Sequence, residues 1–85
     1  MAITFPNHQA PAPGGRINFP ADHNSTRIVC GISDEALQDN FGNPHGDPMT
    51  IFQANRHAVE DKAATLIGRG RFEPDGSIFI RTTDF

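Results

Sequence analysis

The sequence predicts an α+β domain: an antiparallel sheet in the order β-β-α-α-β-β, with an additional short strand near the N-terminus and two helices packed on one face. Three observations predict it. Two runs of period two, Arg16–Phe19 and Arg27–Ile32, flank a segment rich in turn formers. Two helix-start signals, Ser33-Asp34-Glu35 and Asp47-Pro48, occupy the middle of the chain. Pro74-Asp75-Gly76 then separates two short closing runs, which is hairpin chemistry. A sheet carrying both helices on one side is the economical way to bury the resulting apolar faces.

Each element has its own justification. Ile3-Thr4-Phe5 is β-like, but Pro6, Pro11, Pro13, Gly14 and Gly15 follow closely. Residues 1–15 therefore read as a strand and loop or a mobile tail, and residues 16–85 as the single domain. From Arg16 onward, Ile17 and Phe19 share one face of a strand, and Ile28, Cys30 and Ile32 share one face of the next. Pro20 to Ser25, with Asp22 and Asn24, connects them as an antiparallel hairpin.

Ser33 can accept from the backbone donors of the next turn, and Asp34 and Glu35 suit the positive end of a helix dipole. Leu37 and Phe41 then share its buried side, Gly42 ends it, and Asn43–Gly46 is loop. Asp47-Pro48 opens a second helix that runs to Ile67 or Arg69, roughly 20 residues and 30 Å. Phe52, Val59, Ala63 and Leu66 fall in one stripe of it, with Ile67 at the edge. Gly70–Glu73 and Ser77–Thr82 close the chain as a hairpin around Pro74-Asp75-Gly76, with glycine taking the positive φ of a bulge.

Composition bounds what such a domain can do. The chain has 85 residues, a formal charge of -3, 36% hydrophobic residues and one cysteine. At typical values per residue the fold is held by roughly 4 to 13 kcal/mol, so a dimer partner or ligand is an expected source of further stability. Cys30 alone closes no intrachain disulfide, and Met1-Ala2-Ile3-Thr4 lacks the basic-then-apolar pattern of a secretory signal, so the chain reads as cytoplasmic. No apolar run approaches the roughly 20 residues of a membrane span, and no membrane partner is expected. The acidic total argues against bulk attraction to nucleic acid while leaving room for a local basic patch.

The candidate chemistry sorts as follows. His45 and Asp47 lie two apart in a loop, and His57 and Asp61 lie one helical turn apart, but neither pair reaches the three or four ligands of a tight metal site. His57 and Asp61 point away from the apolar stripe and read as a solvated pair. Cys30 with His23 would be a nucleophile and base on one hairpin, yet the phase of Cys30 with Ile28 and Ile32 puts the thiol in the core. Gly68-Arg69-Gly70-Arg71 follows a helix rather than opening one, so it is a helix end and not a phosphate loop. No acid/base or nucleophile/base constellation shares one surface, so no catalytic residue, metal or cofactor is assigned.

Two features remain. Arg56 lies inside the apolar stripe, where an unpaired charge is costly, so it is expected to form a structural ion pair with Asp84 or the terminal carboxylate, or with Asp39 in second place. The second is the outer sheet face. If Ile17, Phe19, Ile28, Cys30, Phe72, Ile78 and Ile80 meet the helices, then Arg16, Asn18, Arg27, Val29, Arg71, Phe79 and Arg81 point the other way. Arg16, Arg27, Arg71 and Arg81 are four of the seven basic residues. With Phe79 they form a candidate partner-binding face, weighed against arginines that only balance acidic neighbours.

Cys30–Leu37, Phe52–Arg56, Arg69–Ser77, the closing Thr83-Asp84-Phe85 and the opening Ile3-Thr4-Phe5-Pro6 together resemble the small bacterial proteins of the domain of unknown function 1488 family. The likeness spans nearly the whole chain and departs at Pro11 to Gly15, where a polar, often aspartate-bearing segment is more usual. It implies a compact α+β fold in a bacterial cytoplasm and carries over no catalytic residues. The expected function is a non-enzymatic binding or regulatory module using its open sheet face toward an unknown protein partner or a homodimer. A nucleic-acid-binding regulator using the same arginine and phenylalanine surface is the alternative.

Overall fold

The computed structural model describes residues 3–42 and 45–85. In chain order it contains β1 (Ile3–Thr4), β2 (Ala10–Ala12), β3 (Arg16–His23), β4 (Thr26–Ser33), α1 (Asp34–Asn40), α2 (Pro48–Ala54), α3 (Arg56–Gly68), β5 (Ile78–Ile80) and a 3-10 turn at Thr82–Asp84. Of the loop expected at Asn43–Gly46, Asn43 and Pro44 lie outside the described residues.

The sheet is organised by a two-residue turn. Asn24 and Ser25 have positive φ (52° and 64°), which a type I′ turn needs and which matches the twist of the flanking strands. β3 and β4 therefore pair over their full eight residues, from His23 opposite Thr26 to Arg16 opposite Ser33. The closing pair of such a hairpin exchanges both backbone bonds, so odd-numbered residues of β3 bond to β4 and even-numbered ones face the other neighbour. Pro20 thus carries its missing N–H to the far edge. There it falls in the gap between β1, which pairs at Asp22 and His23, and β2, which pairs at Arg16 to Asn18. Pro11, midway along β2, points away from β3 by the same alternation and blunts the outer edge.

Ile3–Thr4 is thus the short strand expected near the N-terminus, and Ala10–Ala12 adds a second strand within the proline-rich stretch that reads as loop. Arg56 fastens them further: its guanidinium donates to Asn7 Oδ1 (2.6 Å) and to the Phe5 carbonyl (3.1 Å).

Helix boundaries follow the capping residues. The Ser33 hydroxyl accepts from the Ala36 N–H at 3.0 Å, and Asp47 accepts from the N–H and hydroxyl of Thr50, both at 3.0 Å. The single long helix expected from Asp47 is instead two. Asn55 breaks it with φ -122° and ψ 26°, and its side-chain amide donates to the Ile51 carbonyl at 2.9 Å. Asparagine offers the backbone this local alternative, and neighbouring residues do not show it as a change of period. α3 ends in a Schellman arrangement in which Gly70 (φ 70°) and Arg71 donate to Ile67 and Leu66.

All three helices lie against the inner sheet face. Ile17, Phe19, Ile28, Cys30, Ile32, Ile78 and Ile80 meet Leu37, Phe52, Val59, Ala63 and Leu66 in one buried cluster. Phe19 and Phe52 pack with ring centroids 5.2 Å apart.

The C-terminal hairpin is only half formed. Its turn closes as expected, with Glu73 N–H donating to the Ser77 carbonyl (2.7 Å), Gly76 N–H to the Glu73 carbonyl (2.8 Å), and Gly76 at φ 87°. Residues 70–73 form no strand, because the Arg71 N–H is consumed by the end of α3, and Phe72 is 44% exposed rather than turned toward the helices. β5 pairs with β4, and in parallel: Cys30 opposite Ile78 and Ile32 opposite Ile80. A chain that leaves β4, crosses one face through three helices and returns beside it can arrive parallel. The five-stranded sheet is therefore mixed though mostly antiparallel, with β1 and β2 on one side of β3 and β4 between β3 and β5.

Candidate functional site

Strand alternation leaves the outer face uncovered by helices. It carries Arg16, Asn18 and Asp22 from β3, Arg27, Val29 and Gly31 from β4, and Phe79 from β5, with Arg81 just beyond. Asn18, Gly31 and Phe79 occupy one cross-strand row. A Cβ on Gly31 would lie 2.9 Å from Asn18 Oδ1 and 3.3 Å from both Arg16 Cδ and Phe79 Cδ1. Its absence lets those three neighbours lie down across the strand. The Phe79 ring is flanked by two cations, with Arg16 Cζ 4.8 Å and Arg81 Cζ 5.1 Å from its centroid.

The charges on this face are largely paired. Arg27 bonds Asp22 through both Nε and Nη2, and Arg81 reaches Glu73 Oε1 at 2.9 Å. These carboxylates hold both guanidinium pKa values above the ordinary arginine value. Among the described residues Arg16 has no carboxylate within ion-pairing distance. Asp75 is its opposite. The Ser77 hydroxyl (2.6 Å) and N–H (3.0 Å) donate to Asp75 Oδ1, and chiefly through these bonds, with a lesser contribution from Arg16, its carboxyl is held below the usual carboxylate range.

Between them runs a groove of about 430 Å³ bordered by Arg16, Asn18, Val29, Gly31, Asp75 and Ser77. It continues over Asn18, Arg27 and Val29 into an apolar hollow of about 260 Å³ at Ala10 and Pro20. Asn18 Oδ1 is buried with no hydrogen-bond partner, and Val29 beside it is 52% exposed.

The chain matches, over residues 3–80, the family described as protein of unknown function (DUF1488). It belongs to the DUF1488 family. A crystal structure of a DUF1488 protein of unknown function from Shewanella loihica PV-4 is similar, with a TM-score of 0.82 and 22% identity, covering 92% of this chain and 90% of that one. At that identity the likeness speaks for the fold. No curated protein matches the chain.

Of the residues singled out in the sequence, this DUF1488 fold brings Arg16, Arg27, Phe79 and Arg81 to one face. It does not bring Arg71 into their contacts: its guanidinium bonds Asp84 at 3.3 Å beside the end of α3. The expected Arg56–Asp84 pair is likewise absent. Arg56 Nε bonds Glu60 Oε2 at 2.6 Å, while Asp84 takes Arg71 and the Arg81 N–H (2.8 Å). The break at Asn55 makes Arg56 the first residue of α3, which turns it toward the N-terminal segment and its own helix. Gly31, Asp75 and Ser77 emerge as part of the site only from cross-strand register and the closed turn, and Asn18, already on the outer face by period, gains its row partners Gly31 and Phe79 from the same register.

Cys30 is fully buried on the inner face opposite Phe19, and desolvation pushes its thiol up to about 12. His23 sits farther along the hairpin, opposite Thr26. Among the described residues no three His, Cys, Asp or Glu side chains are grouped to hold a metal ion, and no helix is long and apolar enough to cross a membrane.

Proposed function

We propose that this DUF1488 chain is a non-enzymatic binding or regulatory module of the bacterial cytoplasm whose recognition surface is the outer face of its sheet. The observation that carries this reading is the outer face left open by the helices, where Val29 is 52% exposed beside an Arg16 with no carboxylate within ion-pairing distance among the described residues. Cys30, the only thiol in the sequence, is buried and protonated at neutral pH, which sets aside one candidate nucleophile.

The test is capture of interacting proteins by the purified chain and by the double variant Phe79→Ala/Arg81→Ala. Both side chains are on the outer face and partly solvated, so the variant is expected to stay folded, losing about 1–2 kcal/mol. It should lose the captured partner. Equal capture by a folded double variant would remove the outer face from the reading. Nucleic acid is the weaker alternative, because Phe79 is already flanked by guanidiniums and two of the arginines are neutralised. Mixed oligonucleotides are expected to show no salt-dependent binding, whereas a steep salt slope would favour that alternative.

A further inference from the structure

We infer that the partner recognised by the outer face is a second copy of this chain, related by a two-fold axis through the groove that sets Arg16 of each copy against Asp75 of the other. The inference rests on the binding-face reading above and names its occupant.

Association by strand addition is disfavoured first. Pro11 stands in β2, and the opposite edge, β5, has only three residues. An edge so short, or interrupted by proline, is a poor template for further pairing. The helices cover the inner face. The outer face combines an apolar centre at Val29 and Pro20 with charges around it.

The signs of those charges select the partner. Arg16, Arg27 and Arg81 are matched there by Asp22, Asp75 and Glu73, so the face is neutral and offers a polyanion little. A surface with equal numbers of both signs suits itself. Among those six groups, the two that make no ion pair, Arg16 and Asp75, have opposite sign and border the same groove. A two-fold axis through that groove applies the contact twice, since in an isologous interface residue i meets j and j meets i. A standard interface would take about 800 Å² from each partner, roughly a sixth of the 4908 Å² that this chain exposes.

Charge reversal tests the arrangement. The wild-type chain is expected to dimerise when sedimentation is followed from about 1 µM to about 1 mM, the range in which weak dimers form. Arg16→Glu puts two carboxylates at both contacts, and Asp75→Arg puts two cations there. Each single variant alone should dissociate at least about tenfold more readily than wild type. An equimolar mixture of the two variants should associate again, because in the heterodimer both contacts have opposite signs. Effects within one chain cannot produce that recovery. A wild-type chain that stays monomeric throughout, or a mixture as monomeric as its components, overturns the second-copy inference. In either case the capture experiment with the Phe79→Ala/Arg81→Ala variant still decides whether the face binds something else.

Discussion

The two faces of this sheet are built from the same strands and treat water in opposite ways. On the inner face Ile17, Phe19, Ile28, Cys30, Ile32, Ile78 and Ile80 are apolar and buried under the helices. One residue away along each strand, the outer face holds arginines, an asparagine, an exposed valine and a glycine. The inner face is satisfied within the chain. The outer face is satisfied only in part: Arg27 and Arg81 have carboxylates, Phe79 has two cations, while Asn18 Oδ1 and the Arg16 charge have neither. That contrast separates residues that specify the fold from residues that remain available to a partner.

The contrast breaks most severely at Phe52. Its ring is fully buried on α2 and packs on Phe19. Phe52→Ala should cost about 3–5 kcal/mol, a transfer loss plus a cavity that the surrounding helices fill only in part. In a domain of this size that lowers the melting temperature by about 15 °C or more, measured by thermal unfolding. The Phe79→Ala/Arg81→Ala variant removes an aromatic of equal size from the other face at a smaller cost. Similar losses for the two would mean that Phe79 belongs to the core.

Cys30 sharpens the comparison through pH. Its thiol is pushed from 9.0 to about 12 by burial, so the folded chain holds a proton that the unfolded chain releases. A folded-state value above the unfolded one gives stability that is intact below pH 9 and declines as pH rises toward 12. The slope approaches about 1.4 kcal/mol per pH unit. Urea unfolding at several alkaline pH values should show this decline, and Cys30→Ala should remove that pH-dependent component while leaving a small cavity. A thiol reagent should label the native protein far more slowly than the denatured one.

How much of this was legible in the sequence differs between the faces for the same reason. Strand period, the caps Ser33 and Asp47, and the turn at Gly76 are local, and each is where the sequence puts it. Arg16, Arg27, Phe79 and Arg81 follow from the same period of two. What local signals do not carry is partnering. Nothing near Arg56 in the chain points to Phe5 or Asn7, some 50 residues away. The parallel pairing of β5 depends on how three helices return the chain. The strand at Ala10–Ala12 is disguised by Pro11, which an edge strand tolerates and a central one does not. Asn18 and Gly31 become a site only when register sets them side by side.

The smallest expected effect concerns Asp75, at the rim of the groove. Its carboxyl is held below the usual range first by the Ser77 hydroxyl, then by the Ser77 N–H, and further by Arg16. A depressed folded-state value contributes stability that is present above the unfolded pKa and lost as pH falls through the folded one. Ser77→Ala removes the leading donor and leaves the backbone N–H and the turn in place, so the Asp75 pKa should rise toward that of an ordinary aspartate with the fold unchanged. Carbon-detected NMR titration of the Asp75 carboxyl measures this directly. A value unchanged by the substitution would mean that Arg16 or the N–H, not the hydroxyl, sets it. Protein concentration sharpens the reading further. If the partner copy's Arg16 meets this carboxylate, the Asp75 pKa of the wild-type chain falls as concentration rises through the dimer Kd, because a second cation then favours the charged form. If the faces never meet, it stays constant at every concentration.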